Sequence, residues 1–186
     1  MSATITTSRT GARRMADIPQ KVRTQLHRGD LEARTLVEML AIDFVRLLKN
    51  AAPELPPNAV SEMRAAKTLG ISRRMALAGS LLYEHLGAGG YLRLLRHRSD
   101  TVRGWAAYLL ASSREFTLGE RLRLIRPLAN DHNPGVREWA WLALRAHLAE
   151  DLEGAIEFLS EWTQSSSAFI RRFASEATRP RGVWCA

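Results

Sequence analysis

"SDTVRGWAAYLL" (residues 99–110), "NPGVREWAWLAL" (residues 133–144) and "SAFIRRFASEAT" (residues 167–178) align without a gap at a spacing of 34 residues. Val102, Val136 and Ile170 fall in one column and Arg103, Arg137 and Arg171 in the next. Trp105, Trp139 and Phe173 then share an aromatic column, and Ala106, Ala140 and Ala174 a small-residue column. A pattern of aliphatic, arginine, any residue, aromatic, alanine that stays in register through two shifts marks an internal repeat. The segments between the copies repeat at the same offset, with Leu118, Leu122, Ile125 and Leu128 meeting Leu152, Ile156, Leu159 and Trp162. Both sets have helical spacing. Thr117 and Asp151 stand where helix N-caps are wanted, and "NDHNPG" (residues 130–135) and "SSS" (residues 165–167) break the helices. The repeating unit is therefore a helical hairpin with alanines where its helices cross closely. Stacked units make an all-α fold, an α-solenoid with a period of about 34 residues.

Upstream the pattern weakens. "ISRRMALAGSLL", from Ile71, resembles the first helix of a unit at a spacing nearer 30, and Tyr91 and Leu94 continue the second-helix column. "LEARTLVEMLAIDFVRLLKNAA" (residues 31–52) reads as one long amphipathic helix ended by "PELPP". The expected organisation is a disordered basic lead over residues 1–14 and a single domain over residues 15–186. In that domain an atypical N-terminal cap runs to about residue 60, and clear repeats begin at about residue 99. The last copy has no second helix after it, so Phe169, Ile170, Phe173 and Ala177 want a partner. Two explanations stay open: C-terminal truncation of a longer repeat protein, or a short chain that caps itself by folding back Val183 and Trp184.

The chain has 186 residues with 46% hydrophobic and 25% charged content, which suits one globular core. No run approaches the roughly 18 apolar residues of a membrane span, so no membrane partner is expected. Residues 1–14 contain no apolar core of a secretory signal, and the single Cys185 excludes an internal disulfide framework; both point to the cytoplasm. The net charge is +8, and only Lys21, Lys49 and Lys67 are lysines. Arginine forks match phosphate oxygens and stack on bases, so the excess points to a polyanion. A coding bias of a GC-rich genome would give the same composition.

The arginine column carries the first functional expectation. Stacking would set Arg103, Arg137 and Arg171 in a row, extended by Arg172, Arg179 and Arg181, as a protein following a phosphate backbone requires. The competing reading pairs each arginine with a neighbouring repeat's carboxylate, such as Asp100 or Asp131. Acid is crowded instead on the helix from Glu150 to Glu161. Two carboxylates leave the repeat pattern inside the basic region: Glu138, whose sister positions are Gly104 and Arg172, and Glu176, opposite Tyr108 and Leu142. Trp141 also leaves it, with Ala107 and Ser175 as sisters, and so is a candidate base contact, whereas Trp105 and Trp139 read as core. Salt bridges to Arg137, Arg172 or Arg179 are the alternative for the two acids. The five histidines form no metal-ligand set, and no nucleotide-binding or nucleophile-elbow motif is present, so no cofactor or metal is expected.

"VREWAWLALR" (residues 136–145), followed by "FIRRFASEATRPRGVW" (residues 169–184), resembles the bacterial DNA alkylation repair family, DNA glycosylases built from HEAT-like repeats. The likeness covers about residues 118–184 and is sharpest in "RRFASEATRPR". It implies excision of cationic alkylated bases from duplex DNA, without a cofactor or an obligate protein partner, in the nucleoid of a bacterial cytoplasm. Glu176 and Trp184 match the acid and the tryptophan flanking the TRPR motif in one branch of the family, and Glu138 matches a further active-site acid. A cationic base already leaves well, so the enzyme's task is to stabilise positive charge on the sugar and position water, which suits a carboxylate. Tryptophan faces attract such a base by about 0.5–2 kcal/mol. The family continues for further repeats that supply another acid; this chain departs from that pattern, which puts catalysis in question. A non-catalytic repeat scaffold for nucleic acid or protein is the rival reading. Arginine paired with acid would favour the scaffold, and unpaired carboxylates beside tryptophan the enzyme.

Overall fold

In the computed structural model, which describes residues 9–179, the 34-residue period is written directly into the helix starts. Helices α7 (Asp100–Ser112), α9 (Pro134–Glu150) and α11 (Ala168–Ala177) begin 34 residues apart, as do α8 (Leu118–Ala129) and α10 (Leu152–Trp162). Helices α5 (Ile71–Leu86) and α6 (Gly90–Leu95) precede them at a shorter spacing. First helices α5, α7, α9 and α11 pack side by side in one layer, while α6, α8 and α10 form the second. No strand occurs among the described residues, and the fold is an α-solenoid of HEAT-like hairpins.

Local chemistry explains the boundaries. The Thr117 hydroxyl accepts from Glu120 N–H while the Glu120 carboxylate reaches back to Thr117 N–H, a complete capping box for α8. Asn133, Asp151 and Ser167 cap α9, α10 and α11 in turn. Ala106, Ala140 and Ala174 are buried where the first helices approach one another. Gly79 takes this furthest: a Cβ there would stand 2.3 Å from the Cβ of Tyr108 and 2.5 Å from its backbone carbonyl carbon. The Trp105 and Trp139 side chains are core, Trp105 edge-on to Phe44 at 5.5 Å. Leu122, Ile125, Leu128, Leu159 and Trp162 are buried as their columns require, but Ile156 is exposed. It sits on α10, beyond which the described residues hold no further second helix. Ile170, Phe173 and Ala177 are buried, the Phe173 ring tilted against that of Trp162 at 5.2 Å, while Phe169 stays exposed.

The N-terminal region differs from the sequence expectation in three ways. The single helix expected over residues 31–52 is two, α2 (Leu36–Leu40) and α3 (Phe44–Ala51). Asp43 breaks it by turning its carboxylate onto Val45 N–H and Arg46 N–H as an N-cap. The lead expected to be disordered is fastened from Arg9 onward. Arg9 and Ala12 N–H both bind the buried Glu38 carboxylate, and the Thr35 hydroxyl donates to the Ala12 carbonyl. Finally, residues 29–44 do more than close an end, because they lie along the repeats. Ala33 N–H donates to Asp100, Glu32 reaches both Arg103 and His132, and Phe44 meets Trp105. Helices α1 (Gln20–Arg28) and α4 (Pro57–Ala65) complete this region, with α3 packed between them.

Candidate nucleic-acid interface

Each arginine of the repeat column is the fourth residue of its helix, and each folds back on the loop it has just left. Nη1 of Arg103 donates to the carbonyls of His97 and Arg98, both at 3.0 Å. Nη1 of Arg137 donates to those of Asp131 at 2.6 Å and His132 at 3.0 Å. Nη1 of Arg171 donates to those of Ser165 at 2.6 Å and Ser166 at 3.1 Å. In all three the acceptors are the residues six and five positions earlier. The repeated arginine is thus a loop fastener, satisfying carbonyls that the turn between units leaves without helical partners. Fixing it at one column is required by the loop geometry alone, whatever the partner.

The rest of each guanidinium meets a different environment. Arg103 is 6% exposed and ion-paired to Asp131 through Nε at 2.8 Å and to Glu32 through Nη2 at 2.5 Å. Burial works against its charge, but these two carboxylates outweigh it and raise its pKa. Burial likewise pushes Glu32 up, and Arg103 and His132 more than offset this. Arg103 is therefore committed to the protein interior and offers no donor to a phosphate, which corrects its assignment as a backbone contact. The alternative pairing with Asp131 is what occurs. Arg137 is half-buried, its guanidinium 3.8 Å from the centroid of the exposed Phe169 ring, and burial together with neighbouring Arg172 lowers its pKa. Arg171 is exposed.

The two off-pattern carboxylates do come together, through arginine. Arg172 Nη2 lies 2.6 Å from Glu138 Oε1 on α9 and 3.8 Å from Glu176 Oε1 one turn along α11. Arg179 Nη2 holds the other Glu176 oxygen at 3.0 Å. Glu138 also accepts from the Trp141 indole N–H at 3.0 Å. The result is a chain Trp141, Glu138, Arg172, Glu176, Arg179 along two adjacent first helices. The side chains of Glu138 and Glu176 are 41% and 20% exposed, and those of Arg172 and Arg179 are each 57% exposed. Trp141 is 9% exposed. Its ring is packed into the core with only the N–H used at the surface, so it does not present a face to a base. The expected base contact Trp184 and the expected phosphate contact Arg181 lie outside the described residues.

Elsewhere, the acidic stretch from Glu150 to Glu161 is interrupted at Asp151, and Glu153, Glu157 and Glu161 are exposed on α10 in the second layer. This helix is bound to its basic neighbour α8 by Arg123 over Phe158 at 5.4 Å and Arg126 over Trp162 at 5.9 Å. Sequence reasoning overlooked Arg121, a buried guanidinium that donates to the carbonyls of Leu110, Ser113 and Phe116 and fastens the loop within a unit. Its counterpart 34 residues on is Ala155, so the repeat gave no sign of it.

A family model described as HEAT repeats matches residues 91–178, which run from the start of the second layer's α6 through α11. No curated protein and no solved structure gives a significant match. The match carries the repeat architecture and assigns no reaction. No helix among the described residues is long and apolar enough to cross a membrane.

Proposed function

We propose that this HEAT-like repeat protein is a non-catalytic scaffold that binds duplex nucleic acid through its arginines. The observation that carries the reading is the ion-pair chain: both carboxylates that would act on a sugar are neutralised by Arg172 and Arg179, one of them further occupied by an indole N–H. A carboxylate engaged in this way is a poor stabiliser of an oxocarbenium-like sugar, because its charge is already compensated. Arg172 and Arg179, by contrast, keep more than half of their side-chain surface open, and the charge of +8 favours a polyanion. Replacing a carboxylate by phosphate oxygens at such a guanidinium needs only a small rearrangement.

The test measures binding of unmodified and methylated duplex DNA by fluorescence anisotropy over a salt series, alongside release of free base from the methylated duplex. Affinity should be equal for the two duplexes and fall with salt by a log–log slope of about 0.9 for every phosphate contacted. Arg172→Gln with Arg179→Gln should flatten that slope by up to about two contacts. Free base should appear at the spontaneous rate only.

A second reading, the alkyl-base glycosylase, is favoured by one feature: Glu138, Glu176 and Trp141 are gathered at one place although they are scattered in sequence. In that case phosphates would draw Arg172 and Arg179 away and free the acids. Base release above the spontaneous rate that is lost in Glu176→Gln would establish it over the scaffold.

A further inference from the structure

The unbalanced positive charge converges elsewhere, in the N-terminal region. Arg46 and Lys49 are one turn apart on α3, Arg64 and Lys67 are one turn apart at the end of α4 and in the 3-10 turn Ala66–Thr68, and Arg74 is in the first turn of α5. Helical spacing sets each pair on a common face, and all five line one cavity of about 650 Å³. One acid shares the lining, Asp43, and it is spent. Its Oδ1 accepts from the α3 backbone at Val45 and Arg46, and its Oδ2 lies 3.5 Å from Arg46 Nε. Lys49, Arg64, Lys67 and Arg74 have no carboxylate partner among the described residues, unlike Arg9, Arg93, Arg103, Arg172 and Arg179. Arg74 rests its guanidinium 4.9 Å from the Phe44 ring centroid, and its Nε is buried without a hydrogen-bond partner among the described residues.

We infer that this cavity is a binding site for an organic phosphate of nucleotide size. Five cations around one compensated acid repel one another, and a di- or trianionic phosphate relieves that repulsion. Three arginines and two lysines supply the fork and point-charge donors such a group takes. The volume falls in the range of small-molecule sites, far more than an inorganic ion fills, and the exposed Leu40 and part-exposed Val45 give the body of the ligand an apolar wall. A second cavity of about 420 Å³ shares Lys49 and Arg64 and extends the site along α3 and α4. The site is distinct from the ion-pair chain on α9 and α11 and does not depend on the scaffold reading.

The test is calorimetric titration of the full chain with adenosine triphosphate, adenosine and inorganic phosphate, each at low and high salt. The comparison variant is Arg64→Gln with Lys67→Gln, two exposed positions whose replacement should leave the unliganded melting temperature unchanged. The triphosphate should bind at least ten-fold more tightly than inorganic phosphate, adenosine should not bind, and the variant should lose ten-fold or more in triphosphate affinity. Duplex binding by that variant should stay within about two-fold of the parent. Absence of triphosphate binding at millimolar concentration, or binding untouched by the variant, overturns the inference. So does a variant that loses duplex affinity while no nucleotide binds, which would make the cavity part of a nucleic-acid surface.

Discussion

Helices α7 and α11 are copies of one sequence pattern in opposite settings. From Asp100 to Leu110 every residue of α7 is buried, whereas α11 buries only Ile170, Phe173, Ala174 and Ala177. The difference comes from neighbours: α7 lies between α5 and α9 with residues 29–44 drawn over it, and α11 has first-layer contact with α9 alone among the described residues. The arginine at the fourth position binds its loop carbonyls identically in both. In α7 it additionally carries two carboxylates, the nearly buried Asp131 and the part-buried Glu32. Repetition thus encodes the fastening of the backbone, and position in the stack decides whether the same guanidinium is also an electrostatic keystone.

The largest effect expected from this contrast is that of Arg103→Ala. Asp131, and Glu32 with its exposed partner His132, would lose their main cation, and the carbonyls of His97 and Arg98 would lose a donor. Removing one partner of a buried ion pair costs about 3–5 kcal/mol. Denaturant unfolding should show that loss as a lower midpoint with an unchanged slope. A cost below about 1 kcal/mol would mean that α7 and α11 hold their arginines alike.

The N-terminal strap that makes α7 different is itself pH-sensitive. Burial pushes the Glu38 carboxyl up, but Arg9 and the N–H groups of Arg34 and Ala12 overcome this and hold it at about 2. A depressed carboxyl stabilises the fold above its ordinary pKa of 4.5 and loses that contribution as pH falls towards 2, about 3 kcal/mol in all. Glu38→Gln should remove this stability at pH 7 and flatten acid unfolding in that window, followed by circular dichroism. Asp100 has the opposite sign. Burial pushes it up to about 6 against the N–H groups of Ala33 and Thr101. Folding then favours its protonated form, so stability is lost as pH rises from 3.8 through about 6. Asp100→Asn, which can still accept from Ala33 N–H, should abolish that fall and leave the protein up to about 3 kcal/mol more stable at pH 7. A fall that persists in Asp100→Asn would assign it to another group.

The regular half of this fold was open to sequence reasoning because its signals are local and repeated. Period, caps at Thr117 and Asp151, buried alanines and the core roles of Trp105 and Trp139 all follow from spacing within a few turns. The N-terminal half was not, since apolar spacing runs through Ala41 to Asp43 without a visible break and only the turned-in Asp43 carboxylate makes one. The strap escaped for the same reason: Glu32 and Phe44 meet partners 61 to 100 residues away. At the candidate site, the grouping of Glu138 and Glu176 was visible as two departures from the repeat. Their neutralisation was open only as one of two alternatives, because Arg172 could equally have turned to solvent. In the arginine column Arg103 takes the alternative reading, pairing with Asp131, since a fixed position in a repeat serves backbone geometry as readily as it serves a ligand.

The smallest effect should come from Arg171→Ala, and it is the more discriminating measurement. Here the guanidinium is exposed and, among the described residues, its bonds are to the carbonyls of Ser165 and Ser166. Solvent can replace it at both acceptors, so the cost should be about 1 kcal/mol, that of an ordinary hydrogen-bonding contribution. Amide hydrogen exchange should locate it. The amides of residues 164–168, which include the Ser167 N–H bonded to the Ser165 hydroxyl, should exchange faster while those of α9 keep their protection. Loss of protection reaching α9 would show that the loop fastening is cooperative with the neighbouring unit even at the edge of the stack. The distinction between a local fastener and a buried keystone would then fail, and the dominant role of Arg103 would have to rest on its loop carbonyls instead of on Asp131 and Glu32.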